Sequence, residues 1–266
     1  MTEKRSTRIT LGVFAALVML FLFFPLILIV VYAFNSSNVQ SWPIPGLSTK
    51  WFSTAFHDSE MRDALWLSVK AGLLSTAIAL LLGSLAAFAV SRFRFFGREA
   101  VSFLLVLPLA LPGIITGMAL NSFFTFSSLK FSLLTIIIGH ATFCIVVVYN
   151  NVLARLRRTG NSLEEASMDL GANTFYTFRH VTLPQLRSAL FAGALLAFAL
   201  SFDEIVVTTF TAGPGIETLP QWVFNNLFRP NQSPIVNAVA ALLIVLFVVP
   251  VYLAQRLSEA ETGGRI

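Results

Sequence analysis

Six long stretches of this chain are almost wholly apolar, and its polar residues gather between them. They are Ile9–Phe34, Leu65–Val90, Ala100–Phe126, Phe131–Leu153, Ala189–Phe210 and Ile235–Leu253. A helix needs about 20 residues, at about 1.5 Å each, to cross the hydrocarbon of a bilayer. The stretches are continuously apolar rather than alternating, and lipid offers no partner to free backbone groups, which favours helices over barrel strands. The pattern predicts an all-α integral membrane protein with six spans, forming one transmembrane domain over residues 1–266.

Composition agrees. Only 12% of residues are charged, 26 are phenylalanine, and the mean hydropathy is +0.78. A water-soluble domain carries roughly a quarter charged residues, so most of this surface does not face water. A net charge of +5 would suit nucleic acid, but the basic residues sit in the loops between apolar runs and no nucleic-acid partner is expected. Their distribution orients the chain instead. The segments Lys4 to Arg8, Arg92 to Arg98, Arg155 to Arg187 and Arg256 to Arg265 hold 13 of the 18 lysines and arginines. The alternate loops hold four, Lys50, Arg62, Lys130 and Arg229, while Lys70 lies near an outer helix end and can snorkel. The asymmetry predicts both termini in the cytoplasm and a multi-pass protein of the cytoplasmic (inner) membrane. The single cysteine, Cys144, excludes an intrachain disulfide.

The basic start and the sequence Val31-Tyr32-Ala33 resemble a secretory signal, but the apolar run exceeds the roughly 7–15 residues of such a segment. It is expected to be kept as the first span. The third run contains "LPLALPGIITG", where Pro108, Pro112 and Gly113 remove helix hydrogen bonds; bare backbone at membrane depth survives beside protein or a water-filled cavity. Such interruptions often mark transport sites, so Pro112 and Gly113 are candidates for the substrate pathway. Small residues recur at four-residue spacing, as Ala79, Gly83, Ala87 and as Ala189, Gly193, Ala197, Ser201, which predicts close helix packing. In the outer loops, Trp51, Phe52 and Phe56 suit the membrane interface or an external partner, and Trp222, Asn225, Asn226 and Phe228 are open to the same readings. No G-x-x-x-x-G-K-[ST] pattern occurs, so no nucleotide is expected to bind by that route.

One polar island, "SLEEASMDLGANTFYTFRHVTLP" from Ser162 to Pro184, falls on the cytoplasmic side. Ser162 and Glu165 have the spacing of a capping box, and Gly171 fits the left-handed position that ends a helix. Two short helices result, presenting Phe175, Tyr176 and Phe178 to water or to a partner. Exposed aromatics on a short helix suit a plug that docks into a groove.

This island resembles the cytoplasmic "EAA" loop of the permease subunits of ATP-binding-cassette importers, with the pattern E-A-A-x-x-x-G-x9-I-x-L-P. Glu165, Ala166, Gly171, Leu183 and Pro184 match in register, while Ser167 replaces the second alanine and Val181 the isoleucine. "FPLILIVVYAFNSS", "WF", "LPGIITG", "GHATFC", "EASMDLGAN" and "SFDEIVVTTFTAG" are similar to the spermidine/putrescine branch of these permeases, and to the second of its two paired subunits. The resemblance implies a type I importer permease fold in which the loop is a coupling helix seated in an ATPase subunit. Glu165, Ala166, Ser167, Gly171, Phe175, Leu183 and Pro184 then form the ATPase-coupling surface. It further implies a second, different permease subunit, two ATPase subunits that carry the ATP and magnesium, and an external substrate-binding protein. This chain itself binds no cofactor.

Asp203 and Glu204 lie about 25 Å up the fifth span from Arg187. Acids at that depth usually face an interior or a water path, where they would attract a cationic amine; the other reading is an acid at the outer interface. His140, Thr142 and Asn121 read as hydrogen-bonding groups between helices, and a lone histidine does not support a metal site. An ATP-driven importer of a small cationic amine, with putrescine, spermidine or 4-aminobutyrate as candidates, is weighed against an ion- or proton-coupled carrier and an intramembrane enzyme. The carrier lacks an internal repeat and the enzyme lacks a catalytic cluster.

Overall fold

The structure, a computed structural model, describes residues 5–229 and 231–262, with side chains described for 7–229 and 231–248. Among these residues the elements are helical, apart from an isolated antiparallel bridge between Asn35 and Leu47. In chain order they are α1 (Arg5–Ala33), α2 (Lys50–His57), α3 (Ser59–Arg92), α4 (Arg98–Ala110), α5 (Gly113–Phe126) and α6 (Leu133–Thr159). There follow α7 (Ser162–Asp169), α8 (Thr174–Thr177), a π turn (Phe178–Thr182), α9 (Leu183–Phe202), α10 (Val206–Thr211), α11 (Leu219–Leu227) and α12 (Ser233–Thr262).

Four helices are long and apolar enough to cross a membrane: Thr7–Ala33 of α1, α3, α6, and the continuous run Thr174–Phe202 that ends in α9. The expected third span is not one straight helix. It is the pair α4 and α5, bent by 107°. Leu111, forced by Pro112 out of the helical region, takes φ −83 and ψ 146, and the helix restarts at Gly113. The expected fifth span is also interrupted: α9 stops at Phe202 and α10 begins at Val206, leaving Asp203 and Glu204 in the break rather than along a helix. The expected sixth span lies in α12, with its side chains beyond Val248 outside the described residues.

The chain forms two compact units. One comprises the chain up to Arg62 together with Val223 onward. Within it α1 is exposed along most of its length, as suits an apolar helix whose solvent is lipid. Trp51 of α2 departs from its expected place at the interface: its ring is buried and its indole N–H donates to the Asn35 carbonyl at 2.7 Å. An amphipathic side chain with a backbone partner in reach is held inside rather than at the headgroups.

The other unit, Asp63–Trp222, is organised around α6. Ser132 caps this helix in a capping box with Thr135, and Arg157 and Arg158 in its last turn oppose the helix dipole. Most of the core consists of Phe143, Cys144, Val148, Tyr149, Val152, Leu153 and Leu156 of α6, packed with Ala79, Ala87 and Val90 of α3 and Leu186 and Ala197 of α9. The small-residue stripes do what their spacing predicts. A Cβ on Gly83 would stand 2.8 Å from the Ile145 carbonyl oxygen, and one on Gly193 3.5 Å from the Val148 Cα. At Gly83 the backbones leave no room for a side chain, and at Gly193 a Cβ would be in ordinary contact.

Gly83→Leu is therefore expected to push α3 off α6 and to destabilise the protein by about 1–3 kcal/mol. Gly12→Ala, where nothing lies within 4 Å, is expected to be neutral. Melting of the detergent-solubilised protein, followed by size-exclusion chromatography, compares the two.

Candidate functional site

Two places carry the candidate residues: the polar hairpin between α6 and α9, and the interrupted helices α4/α5 and α9/α10.

The hairpin is built from α7, α8 and the π turn. The expected capping box does not form. Asn161, not Ser162, holds the cap position, and it makes no side-chain capping bond. Its side chain is taken instead by the Arg92 guanidinium at the end of α3. The same guanidinium donates to the Gly160 carbonyl at 3.1 Å and to the Glu164 carboxylate at 2.8 Å. Glu164 also accepts the Thr182 hydroxyl at 2.9 Å. Of the two adjacent glutamates, Glu164 thus binds the hairpin together while Glu165 faces solvent. Reading the sequence missed Arg92; its only signal was a basic residue in an inner loop.

Gly171 takes φ +90, as expected. The amide of Gly171 donates to the Met168 carbonyl and that of Ala172 to the Ser167 carbonyl, closing α7 in a Schellman turn. Ser167, the departure from the second alanine, has a use: its hydroxyl is 3.0 Å from that of buried Thr177, joining α7 to α8. Asn173 caps α8 by accepting the Tyr176 amide. Pro184 has no N–H for the turn before it, and the chain widens there into the π turn. Leu170 is 90% exposed and Phe175 73%, with Leu163, Tyr176 and Leu183 also exposed. Phe178 differs, since its ring meets that of Phe88 edge-on at 5.6 Å. The hairpin is therefore pinned beneath and presents an apolar outer face, including Ala166 and Pro184.

The second place brings the two breaks together. A Cβ on Gly113, one residue past the α4/α5 bend, would be 3.5 Å from Val206 at the start of α10. A Cβ on Gly117 would be 2.6 Å from the Phe210 ring, so α5 and α10 pack directly. The carbonyls that end α10 are satisfied from neighbours: Asn121 donates to Phe210 at 2.7 Å, and Thr135 donates to Thr211 at 2.7 Å. Thr142 bonds only within its own helix, to the Gly139 carbonyl.

The two acids in the break have different surroundings. The Glu204 carboxylate accepts the Val207 amide at 2.8 Å and so caps α10. Asp203 is exposed, and among the described residues its carboxylate takes no hydrogen bond. Buried His140 of α6 bridges the break: Nδ1 is 2.7 Å from the Ser201 hydroxyl and Nε2 2.8 Å from the Thr208 hydroxyl. Thr208 donates its one hydroxyl proton to the Glu204 carbonyl at 2.7 Å, so it accepts from Nε2–H, while Nδ1 pairs with the Ser201 hydroxyl. No group of three or more metal-ligating side chains occurs among the described residues.

Interrupted apolar helices packed side by side, together with a pinned hairpin that has an apolar outer face, suit a transport permease. Residues 79–262 match the family described as binding-protein-dependent transport system inner membrane component, and the chain belongs to that family. It is 38% identical over 232 residues to the putrescine transport system permease protein PotI of Escherichia coli (strain K12), covering 84% of this chain and 82% of that one. It is 33% identical over 258 residues to the spermidine/putrescine transport system permease protein PotC of the same strain, covering 97% of each. It is 31% identical over 247 residues to the PotC of Haemophilus influenzae. Its fold is shared with a chain from a bacterial ABC transporter involved in the import of the acidic polysaccharide alginate. There the TM-score is 0.72 at 18% identity, over 96% of this chain and 99% of that one. The chain is a multi-pass membrane protein with the type I ABC permease fold and is a transport permease subunit.

His140→Ala leaves the buried Ser201 hydroxyl without its His140 partner, at a cost of about 1–3 kcal/mol, while the Thr208 hydroxyl keeps its bond to the Glu204 carbonyl. His140→Gln, with one donor and one acceptor, is expected to lose less. Thermal melting of the two purified variants tests this order.

Proposed function

We propose that this chain is one permease subunit of an ATP-driven importer that carries a small cationic amine of the putrescine or spermidine type across the inner membrane. It crosses the membrane six times as one permease domain over residues 1–266, with both termini in the cytoplasm. The names of its relatives and the 13-to-4 division of basic residues support this reading. The observation that carries it is the hairpin 162–184, whose exposed Leu163, Leu170, Phe175 and Tyr176 have no use in a permease working alone. They fit a groove in an ATPase subunit. Glu165, Ala166, Ser167, Gly171, Leu183 and Pro184 complete or shape that contact. Two ATPase subunits hold the ATP and magnesium, and this chain holds no cofactor. A second, different permease completes the pore, and an external binding protein delivers the amine.

Within the pore, Asp203 is the acid with a free carboxylate and is assigned to the amine, near the α4/α5 bend at Pro112 and Gly113. Glu204 serves the backbone of α10.

Co-purification from detergent tests the hairpin. The ATPase subunit is expected to stay with the wild type and to be lost from Gly171→Val, which cannot adopt φ +90 without strain, and from Glu165→Lys. Retention in both variants rejects the dock. Uptake of radiolabelled putrescine and spermidine by membrane vesicles tests the acids. Asp203→Asn is expected to raise KM about tenfold or more, the worth of a charge-assisted contact. Glu204→Gln keeps an oxygen for the Val207 amide and should change KM less than threefold on the same scale. Uptake driven by a proton gradient without ATP would favour a carrier instead.

A further inference from the structure

We propose that Arg92 is a positioning residue that locks the cytoplasmic end of α3 to the hairpin, so that α3 follows the hairpin when it is displaced. The inference rests on the reading of the hairpin as the ATPase dock. The hairpin is joined to α6 and α9 by the chain itself, but to α3 only through side chains. The junction with α6 is also a weak point: Gly160 takes φ +65, and nothing lies within 4 Å of the Cβ it lacks. A lone pivot there would let α7 swing without moving anything else.

The Arg92 fork spans that pivot. It holds the Gly160 carbonyl, the Asn161 side chain and the Glu164 carboxylate, which lie at and beyond it. Thr182 reaches the same carboxylate from the π turn, so α3, α7 and the root of α9 meet at one carboxylate. Only 14% of the Arg92 side chain and 18% of that of Glu164 are exposed, in a groove lined by Phe88, Phe93, Met168 and Phe178. Sheltered charges of this kind are screened less than surface pairs. A planar fork binds several acceptors at once, which an ammonium group cannot do with the same rigidity.

The test uses the complete transporter, with both permeases and both ATPase subunits, in proteoliposomes. Arg92→Ala and Glu164→Gln are expected to keep the ATPase subunits bound and hydrolysing ATP, while putrescine uptake per ATP falls on the order of tenfold. Arg92→Lys, which keeps the charge but not the planar fork, is expected to recover part of that loss. Spin labels at Arg94 and Asp169 provide a reading independent of substrate. Their separation should be the same with and without bound ATP in the wild type, and should broaden in Arg92→Ala. Unchanged uptake per ATP in both Arg92→Ala and Glu164→Gln, loss of the ATPase subunits from them, or a nucleotide-dependent separation in the wild type overturns the lock. Absence of the ATPase from the wild type itself would instead overturn the dock.

Discussion

Lipid gives a backbone amide or carbonyl nothing to bond to, and each place where this chain stops being a helix at membrane depth must answer that with side chains. The α9/α10 break shows how. Glu204 takes the Val207 amide, Thr208 donates to the Glu204 carbonyl, and Asn121 and Thr135 cover the carbonyls at the far end of α10. His140 holds the hydroxyls on either side of the break. With those demands met, Asp203 is the acid left with no protein partner among the described residues. The proposed place of Asp203 in the pathway follows from the chain's need to stay hydrogen-bonded where it is broken.

The hairpin faces the opposite solvent and the opposite difficulty. Helices of eight and four residues are too short to hold themselves in water. Here they are fastened from beneath by Arg92, by the Ser167–Thr177 pair and by Phe178 against Phe88, which frees their outer surface for apolar residues. An apolar surface on a rigid base loses little freedom when it docks, the condition for tight contact over a small area.

Between the two sites lies α6. Its residues form most of the core, and its length is approached closely by α3 at Gly83 and by α9 at Gly193. At its C-terminal end it runs into the hairpin, and farther back it carries the histidine that staples the break. A helix packed at van der Waals contact on two sides is stiff, and it physically links the hairpin to the helix breaks within this unit.

Four of the spans, the small-residue stripes, the left-handed Gly171 and the exposed Phe175 and Tyr176 of the hairpin were legible along the chain. Each follows from local rules: apolar length, four-residue spacing, one backbone dihedral. The two prolines announced the break at Leu111, whereas nothing near Phe202 announced the second, which is held open by residues about 60 to 90 positions away in sequence. The serine–glutamate pair at the start of α7 looked like a capping box until Arg92, 72 residues from Glu164, took Asn161 and Glu164 together. Trp51 likewise turned inward to a carbonyl 16 residues before it. Sequence by itself determined a membrane-crossing helical permease with an apolar-faced loop between its spans, because solvent preference is written residue by residue. Only the tertiary structure decided which acid is free and which is structural, because that depends on whose hydrogen bonds reach it first.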